Sequence, residues 1–251
     1  MLTADSQVWD LTSFVGPGID EKDAMAFSVR NLGPETTSTR FAVVLAAALF
    51  VVFATLAATA HHYGSGTAVD HHTLGWLEIH RHGWLTAVAI VVTHLGSPRA
   101  VSIATVVAAL VIWRFTRSAR TAATVAVAVA GAFFLAAVAK WTVGEHRPPG
   151  EAQLVAESGW SFPSGHVTGT AALAGILTVV VAYRYRDWRR RAALLGTIVA
   201  VLSVAGSRLY LGDHWVVDVL AGVVLATAVV TIAAAVLHRA SVPAQSARAV
   251  A

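Results

Sequence analysis

Long apolar runs, separated by short polar stretches, recur along the chain from residue 41 onward. The first run covers residues 41–60, about the 20 residues that an α-helix needs to cross the hydrocarbon core of a bilayer. Five further runs of spanning character follow, at residues 98–113, 121–143, 166–183, 192–206 and 215–237. The pattern therefore predicts six transmembrane helices.

A seventh apolar stretch, Gly83 to Leu95, is too short to cross a bilayer at about 1.5 Å per residue. Gly96 ends it, and Ser97-Pro98 is typical of the cap and first residue of a new helix. We expect residues 83–95 to form an additional helix in the membrane interface. Residues 61–82, between this helix and the first span, are interpreted as a polar loop with six histidines.

The composition agrees with a membrane protein. Hydrophobic residues make up 56% of the chain and charged residues only 13%, which is about half the charged fraction of a soluble domain. The predicted fold class is an all-α polytopic membrane protein. Its expected divisions are a polar N-terminal tail at 1–40, a six-helix membrane domain at 41–237 and a flexible C-terminal tail at 238–251.

Cysteine is absent, which excludes disulfides and thiolate-ligated metals. The sequence pI near 10.0 comes mostly from arginine. In a membrane protein such a balance is typical of cytoplasmic loops, and we expect no nucleic-acid partner.

The distribution of basic residues predicts the orientation. Two loops, at 114–120 and 184–191, contain eight arginines, and positively charged loops remain in the cytoplasm. With six spans, both termini are then cytoplasmic, and the expected location is the plasma membrane. Five basic residues fall on the outer side: Arg81, Arg99, Lys140, Arg147 and Arg208. Three of these five lie in polar segments that carry further candidate chemistry.

Two of these segments lie at the two ends of the loop that joins the third span to the fourth. Lys140 and Arg147-Pro148 follow the third span, where a snorkelling lysine and an ordinary loop arginine would be the structural alternative. Ser164-Gly165-His166 opens the fourth span. Ser164 is a suitable helix cap, and the first amides of the helix favour an anion.

The third segment runs from Ser207 to Asp218. His214 and Asp218 are four residues apart, which places them on one face of a helix that begins near Asp213. The carboxylate can then hold the imidazole in one tautomer, while Asp213 is expected to cap the helix. Arg208 offers a fork of donors suited to phosphate.

The six-span topology places all three segments at the outer end of the bundle. Together they provide three cations, a helix N-terminus, two histidines and one orienting carboxylate. Cations and amides stabilise the oxygens of a phosphoryl group in transfer. One histidine can attack phosphorus while the other protonates the leaving oxygen, which gives a covalent route without a metal or other cofactor.

These motifs resemble the signature of the type-2 phosphatidic acid phosphatase superfamily, the lipid phosphate phosphatases. The signature has the form Lys-x6-Arg-Pro, then Pro-Ser-Gly-His, then Ser-Arg-x5-His-x3-Asp, and the sequence contains all of it between residues 140 and 218. The resemblance implies that His214 is the nucleophile, that Asp218 orients it, and that His166 is the acid and base. It also implies a set of phosphate-binding residues: Lys140, Arg147, Ser164, Gly165 and Arg208.

The resemblance implies an enzyme that hydrolyses a lipid phosphate or diphosphate of the polyprenyl diphosphate, phosphatidylglycerophosphate or phosphatidic acid class. Undecaprenyl diphosphate is the favoured substrate, because the composition has a bacterial character. Many relatives carry a basic residue near Glu145, so an acid there is expected to disfavour highly charged diphosphates. Trp160 and Phe162 are candidate contacts of the lipid.

Three alternatives remain open at this point. A lipid phosphotransferase could use the same site with an acceptor other than water. A non-catalytic lipid transporter would bind the phosphate without cutting it, and soluble vanadium-dependent haloperoxidases have a similar site but no membrane spans. The sequence does not decide the oligomeric state.

Overall fold

The computed structural model describes residues 34–241, and within this range the chain is entirely helical apart from turns and loops. Eight α-helices are formed: α1 Pro34–Tyr63, α2 Ala68–Ile79, α3 Gly83–Leu95, α4 Pro98–Thr116, α5 Ala119–Val143, α6 Gly165–Arg184, α7 Trp188–Tyr210 and α8 Val216–Ser241. The predicted all-α class is confirmed. Most of the predicted N-terminal tail and residues 242–251 of the predicted C-terminal tail lie outside the described range.

Six of these helices are long and apolar enough to cross a membrane: Thr39–Tyr63, Pro98–Thr116, Ala119–Val143, Gly165–Arg184, Trp188–Tyr210 and Val216–Arg239. They match the six predicted spans, so the chain is a multi-pass membrane protein. The largest difference is in α7, which extends beyond the predicted 192–206 at both ends. At its start Asp187 caps the helix by accepting a hydrogen bond from the Arg189 amide at 3.0 Å, and the arginines that follow are good helix formers.

The prediction of a polar loop at 61–82 was wrong. The first helix continues through His61 and His62 to Tyr63, and α2 then occupies Ala68–Ile79. A capping box starts α2, in which Thr67 and Asp70 bond to each other's backbone amides. This Thr-x-x-Asp pattern is a recognised start signal for a helix, and it was present in the sequence.

The short apolar helix at 83–95 is confirmed as α3, and its break at Gly96 is also as predicted. Ser97 caps α4 by accepting a hydrogen bond from the Ala100 amide at 3.2 Å, with Pro98 as the first helical residue. Gly96 permits close approach to α7, because a Cβ there would lie 2.7 Å from the Val204 side chain. The position of α3 in the membrane interface stays a prediction.

The centre of the bundle is built from small side chains on α5, α6 and α8. Helix α6 packs against α5, α7 and α8, and the fully buried positions include Ala132, Ala172 and Ala226. Gly169 of α6 lies directly against the Phe133 ring, since a Cβ there would meet it at 2.4 Å. Small residues allow membrane helices to approach closely, and the larger apolar side chains are left on the outer faces, where lipid is the expected solvent.

The helix directions bring the three motif segments to one end of the bundle. Lys140 lies in the last turn of α5, Gly165 begins α6, Arg208 lies in the last turn of α7, and Val216 begins α8. The eight loop arginines lie at the other ends of α5, α6 and α7 and at the C-terminal end of α4.

Candidate active site

A cavity of about 640 Å³ opens at this end of the bundle. Six of the eight predicted site residues line it: Lys140, Arg147, Gly165, His166, Arg208 and His214. The other two, Ser164 and Asp218, are fully buried beside it. The cavity is within the size range of small-molecule sites.

His214 is held by Asp218 as the sequence predicts, but through a different local structure. Helix α8 begins at Val216, so His214 precedes the helix, and Asp218 is its third residue. From that position a carboxylate reaches back to the cap, and Oδ2 of Asp218 accepts the Trp215 amide at 2.9 Å. The same oxygen lies 3.0 Å from Nδ1 of His214 and accepts a hydrogen bond from the Ser161 hydroxyl.

The surroundings of His214 keep its ring neutral. Burial lowers the pKa of His214 well below its ordinary value, and the nearby guanidinium groups of Arg147 and Arg208 lower it further. With the Nδ1 proton directed to Asp218, the lone pair resides on Nε2. Nη1 of Arg147 lies 3.3 Å from that nitrogen. A cation therefore stands beside the atom that would attack phosphorus.

Arg208 is fully buried and is fixed from three directions. Its Nη1 donates to the Thr93 hydroxyl at 2.6 Å and lies 3.0 Å from Oδ2 of Asp213, while Nη2 lies 3.0 Å from Oε1 of Glu157. The prediction that Asp213 caps a helix was wrong, since its carboxylate pairs with Arg208 instead. Burial raises the pKa of Asp213 to about 6, although Arg208 opposes the rise.

Lys140 and Arg147 connect the helix ends to the loop before α6. The Lys140 ammonium donates to the carbonyls of Trp160 and Ser161 at 2.9 and 3.0 Å. Arg147 donates through Nε to the Gly159 carbonyl at 3.1 Å and through Nη1 to the Asp213 carbonyl at 2.7 Å. Both cations are thus oriented by backbone oxygens before any ligand arrives.

The start of α6 faces the same cavity. Ser164 occupies the cap position, but its hydroxyl makes no capping bond and has no partner among the described residues. Its amide donates to the Asp218 carbonyl at 3.1 Å, which ties α6 to α8. The amides of Gly165 and His166 belong to the first turn, where a helix has no acceptor for them, so they are available to an anion.

Sequence reasoning missed two residues that contact these cations. Thr93, a buried polar residue in the apolar helix α3, supports Arg208, and its polarity within that stretch was the signal. Glu157, in the loop before α6, bridges Arg208 at 3.0 Å and Nη2 of Arg147 at 3.9 Å. Its carboxylate therefore lies between two of the arginines that are predicted to bind phosphate.

We expect Glu157→Gln to bind inorganic phosphate or vanadate roughly three- to tenfold more tightly than the unmodified protein, because the competing negative charge is removed. Arg208 stays fixed by Thr93 and Asp213, and Arg147 by backbone carbonyls. The measurement is the inhibition constant of each anion against turnover. Glu151→Gln, an exposed carboxylate of the same loop, is the matched control. Weaker inhibition in Glu157→Gln would show that the carboxylate serves to hold the arginines.

Asp70 of α2 fixes the start of α8 and was also missed. Its Oδ1 accepts the amides of Val216 and Val217 at 2.7 and 3.2 Å, while Oδ2 accepts the Thr67 amide and hydroxyl, each at 2.7 Å. A buried carboxylate from a distant helix thereby satisfies the free amides of α8. The adjacent His214 and Asp218 depend on this anchor for their position.

Several histidines of residues 61–82 make structural contacts. Nδ1 of His61 lies 3.0 Å from the Val143 carbonyl, Nδ1 of His80 lies 2.7 Å from the Trp76 carbonyl, and the His71 ring packs against Trp215. Within residues 34–241 no group of three or more His, Asp or Glu side chains is arranged to hold a metal ion.

One further expectation about side chains near the site was wrong. Phe162 is fully buried against Phe53, with ring centroids 5.5 Å apart, and so belongs to the core instead of contacting a substrate. Glu145 is also fully buried and does not line the cavity, and its expected effect on the binding of diphosphates stays a prediction.

Comparison with known proteins supports the resemblance to this family. The model of the PAP2 superfamily matches residues 121–241, which contain all three motifs. Among solved structures, the "first transmembrane PAP2 type phosphatidylglycerolphosphate phosphatase from Bacillus subtilis" is similar, with a TM-score of 0.68 and 25% sequence identity. The similarity covers 75% of this chain and 93% of that chain. No curated protein matches this chain at a significant level. The predicted family resemblance is confirmed.

Proposed function

We propose that this chain, a PAP2 superfamily phosphatase of the membrane, hydrolyses a lipid phosphate or diphosphate through a phosphohistidine intermediate. One observation carries the proposal. Nδ1 of His214 lies 3.0 Å from the Asp218 carboxylate, while Arg147 lies 3.3 Å from Nε2 in a cavity lined by cations. That arrangement supports a neutral nucleophile directed at a bound phosphoryl group.

In the first step, Nε2 of His214 attacks phosphorus and the bond from phosphorus to the leaving oxygen breaks. His166, which lines the same cavity, donates a proton to that oxygen. The new imidazolium is stabilised by Asp218, and the phosphoryl oxygens are stabilised by Lys140, Arg147 and the α6 amides. The products are the dephosphorylated lipid and a phosphohistidine.

In the second step, His166 accepts a proton from water, and the water oxygen attacks the phosphoryl group. The bond from phosphorus to Nε2 breaks, which releases inorganic phosphate and returns His214 to its neutral form. Two displacements replace a single hydrolysis. Uncatalysed hydrolysis of phosphate monoesters is among the slowest reactions known, and enzymes accelerate it by up to about 10²¹-fold. Each proton transfer of this kind contributes about 10²- to 10⁴-fold.

The position of the cavity at the ends of membrane spans supports the proposed substrate class. A lipid headgroup can enter there while its chains remain between helices. The similar Bacillus subtilis structure is described as a phosphatidylglycerolphosphate phosphatase, which supports a lipid phosphate. Phosphatidic acid and polyprenyl diphosphates, including undecaprenyl diphosphate, have the same terminal phosphoryl group and belong to the proposed class.

We further propose that the site faces outward from the plasma membrane, with both termini in the cytoplasm. The support is the placement of eight arginines at the ends of helices opposite the cavity, since such charges remain cytoplasmic. Protease accessibility of a cleavage site inserted at residues 184–191 tests this arrangement. Cleavage by a protease added outside intact cells would show that this loop is external and that the orientation is the reverse of the proposed one.

The proposed activity is tested with protein purified in detergent and supplied with phosphatidylglycerophosphate, phosphatidic acid and undecaprenyl diphosphate. We expect release of inorganic phosphate from at least one of them, and the ranking identifies the preferred lipid. A phosphorylated acceptor in place of free phosphate would identify a transferase. Binding of the lipids without turnover would instead favour a transporter.

A further inference from the structure

A pair of buried carboxyl groups lies behind the candidate nucleophile. Glu145 and Asp218 are each fully buried, and their carboxyl groups lie within hydrogen-bonding reach of each other. The segment that carries Glu145 is fixed by its neighbours: the His146 amide donates to the Gly64 carbonyl, and the Ser161 amide donates to the Glu145 carbonyl, both at 2.8 Å. Ser161 therefore links the two residues, because its amide binds the Glu145 carbonyl and its hydroxyl donates to Oδ2 of Asp218.

Three carboxyl oxygens in this pair lack a donor. The Gly66 amide faces Glu145, but neither Oε atom accepts a hydrogen bond of good geometry, and Oδ1 of Asp218 has no partner among the described residues. Two adjacent buried carboxylates without donors repel each other and are costly to desolvate. A single proton shared between them removes the repulsion and satisfies both groups.

The proton belongs on Glu145. Oδ2 of Asp218 already receives hydrogen bonds from Ser161 and the Trp215 amide and lies 3.0 Å from Nδ1 of His214, and donors of this kind favour the charged form. Glu145 has no comparable set of donors. Burial, together with the neighbouring Asp218, raises the pKa of Glu145 to about 10.

We propose that Glu145 is a positioning residue: as a carboxylic acid it donates a hydrogen bond to Oδ1 of Asp218 and fixes the carboxylate that orients His214. The hydrogen bond completes the set of donors around Asp218, with three groups directed to Oδ2 and one to Oδ1. Asp218 keeps a single negative charge, available to stabilise the imidazolium of phosphohistidine. This inference rests on the proposed function.

The pH dependence follows from the groups that face the pair. Asp70 of α2 is a second carboxylate near Glu145, and Lys140 of α5 is a cation near Asp218. Glu145 holds its proton at neutral pH and loses it only in strongly alkaline solution, because burial and the neighbouring Asp218 raise its pKa. Two adjacent carboxylates then face each other, and the orientation of His214 is lost with them.

The kinetic test compares Glu145→Gln with the unmodified protein. An amide N–H can replace the acid O–H without titrating, so kcat at pH 7 is expected within about threefold of the original. The kcat of Glu145→Gln divided by the kcat of the original protein should rise at least about twofold by pH 10. The reason is that only the original protein has a proton to lose at residue 145. Deprotonation of Lys140 affects both proteins and cancels in this ratio. A flat ratio, or a loss above about tenfold in a folded Glu145→Gln, would overturn the proposal.

Glu145→Leu removes the donor while keeping the site apolar. We expect kcat to fall about tenfold with KM little changed, because the phosphate-binding cations are not touched. If Glu145→Leu does not fold, the pH dependence of kcat in Glu145→Gln still tests the proposal. Glu151→Gln, an exposed carboxylate, is the matched control and should match the original protein at every pH.

Infrared spectroscopy separates this inference from the proposed function. A protonated carboxyl gives a C=O stretching band that should be present at pH 7 in the original protein and in Glu151→Gln but lost in Glu145→Gln. This measurement needs no turnover. If the protein hydrolyses no lipid, the proposed function is refuted, but the infrared band still shows whether Glu145 is protonated. A band unchanged by Glu145→Gln would overturn the inference.

Discussion

Replacing His214 with alanine is expected to reduce phosphate release by roughly 10⁴-fold or more, since removal of a nucleophile leaves only binding and electrostatic stabilisation. His214 is 3% exposed, and the substitution leaves in place the cations that are proposed to bind phosphate. Lipid phosphate should therefore still bind, with kcat lost and the binding constant largely kept. The measurement is phosphate release from the preferred lipid, together with lipid binding under the same conditions.

The matched control for His214→Ala is His72→Ala, an exposed histidine on α2, which should keep full activity. A second readout is covalent labelling with radioactive lipid phosphate, which should mark the unmodified protein and His72→Ala but not His214→Ala. Turnover near the original level in a folded His214→Ala would refute the assignment of the nucleophile. Labelling retained in that variant would place the covalent bond on another residue.

The membrane architecture could be predicted because it depends on local sequence. Apolar runs of spanning length specify helices regardless of their partners, so all six spans were found. Start and stop signals were equally local, as the Ser97-Pro98 start of α4 shows. The end of α7 was set too early, because Arg208 is polar yet fully buried in its last turn, where Thr93 and Asp213 supply its partners.

The candidate site was predictable where the motifs themselves carry the chemistry. Spacing placed His214 next to Asp218, and topology placed Lys140, Arg147 and Arg208 at one end of the bundle. The supporting residues were not predictable, because each acts across a long sequence separation. Asp70 caps a helix that begins 146 residues later, and no local pattern connects these two positions. Glu157 likewise lies in a loop without periodicity.

The position of Glu145 shows why a residue inside a motif is hard to place from sequence. Its neighbour Arg147 lines the cavity, whereas Glu145, two residues away, is buried and does not line it. Residues two apart in a regular strand point to the same side, but residues 144–147 form neither a helix nor a strand. Spacing alone therefore does not predict which of these side chains faces the cavity.

Replacing His166 with alanine is expected to slow hydrolysis of a lipid monophosphate by about 10³-fold. With a lipid diphosphate, the first step, in which phosphohistidine forms, should be slowed much less. An alcohol leaves poorly without a proton, whereas a phosphate group leaves as a stable anion.

With a diphosphate, His166→Ala should release about one equivalent of lipid monophosphate and then stop, because no base activates water. Acid-labile phosphohistidine should accumulate, measured by radiolabel retained on the protein. His72→Ala, an exposed histidine on α2, is again the control and should turn over normally. Equal losses for both substrate classes, without trapped label, would refute the role of His166 as acid and base.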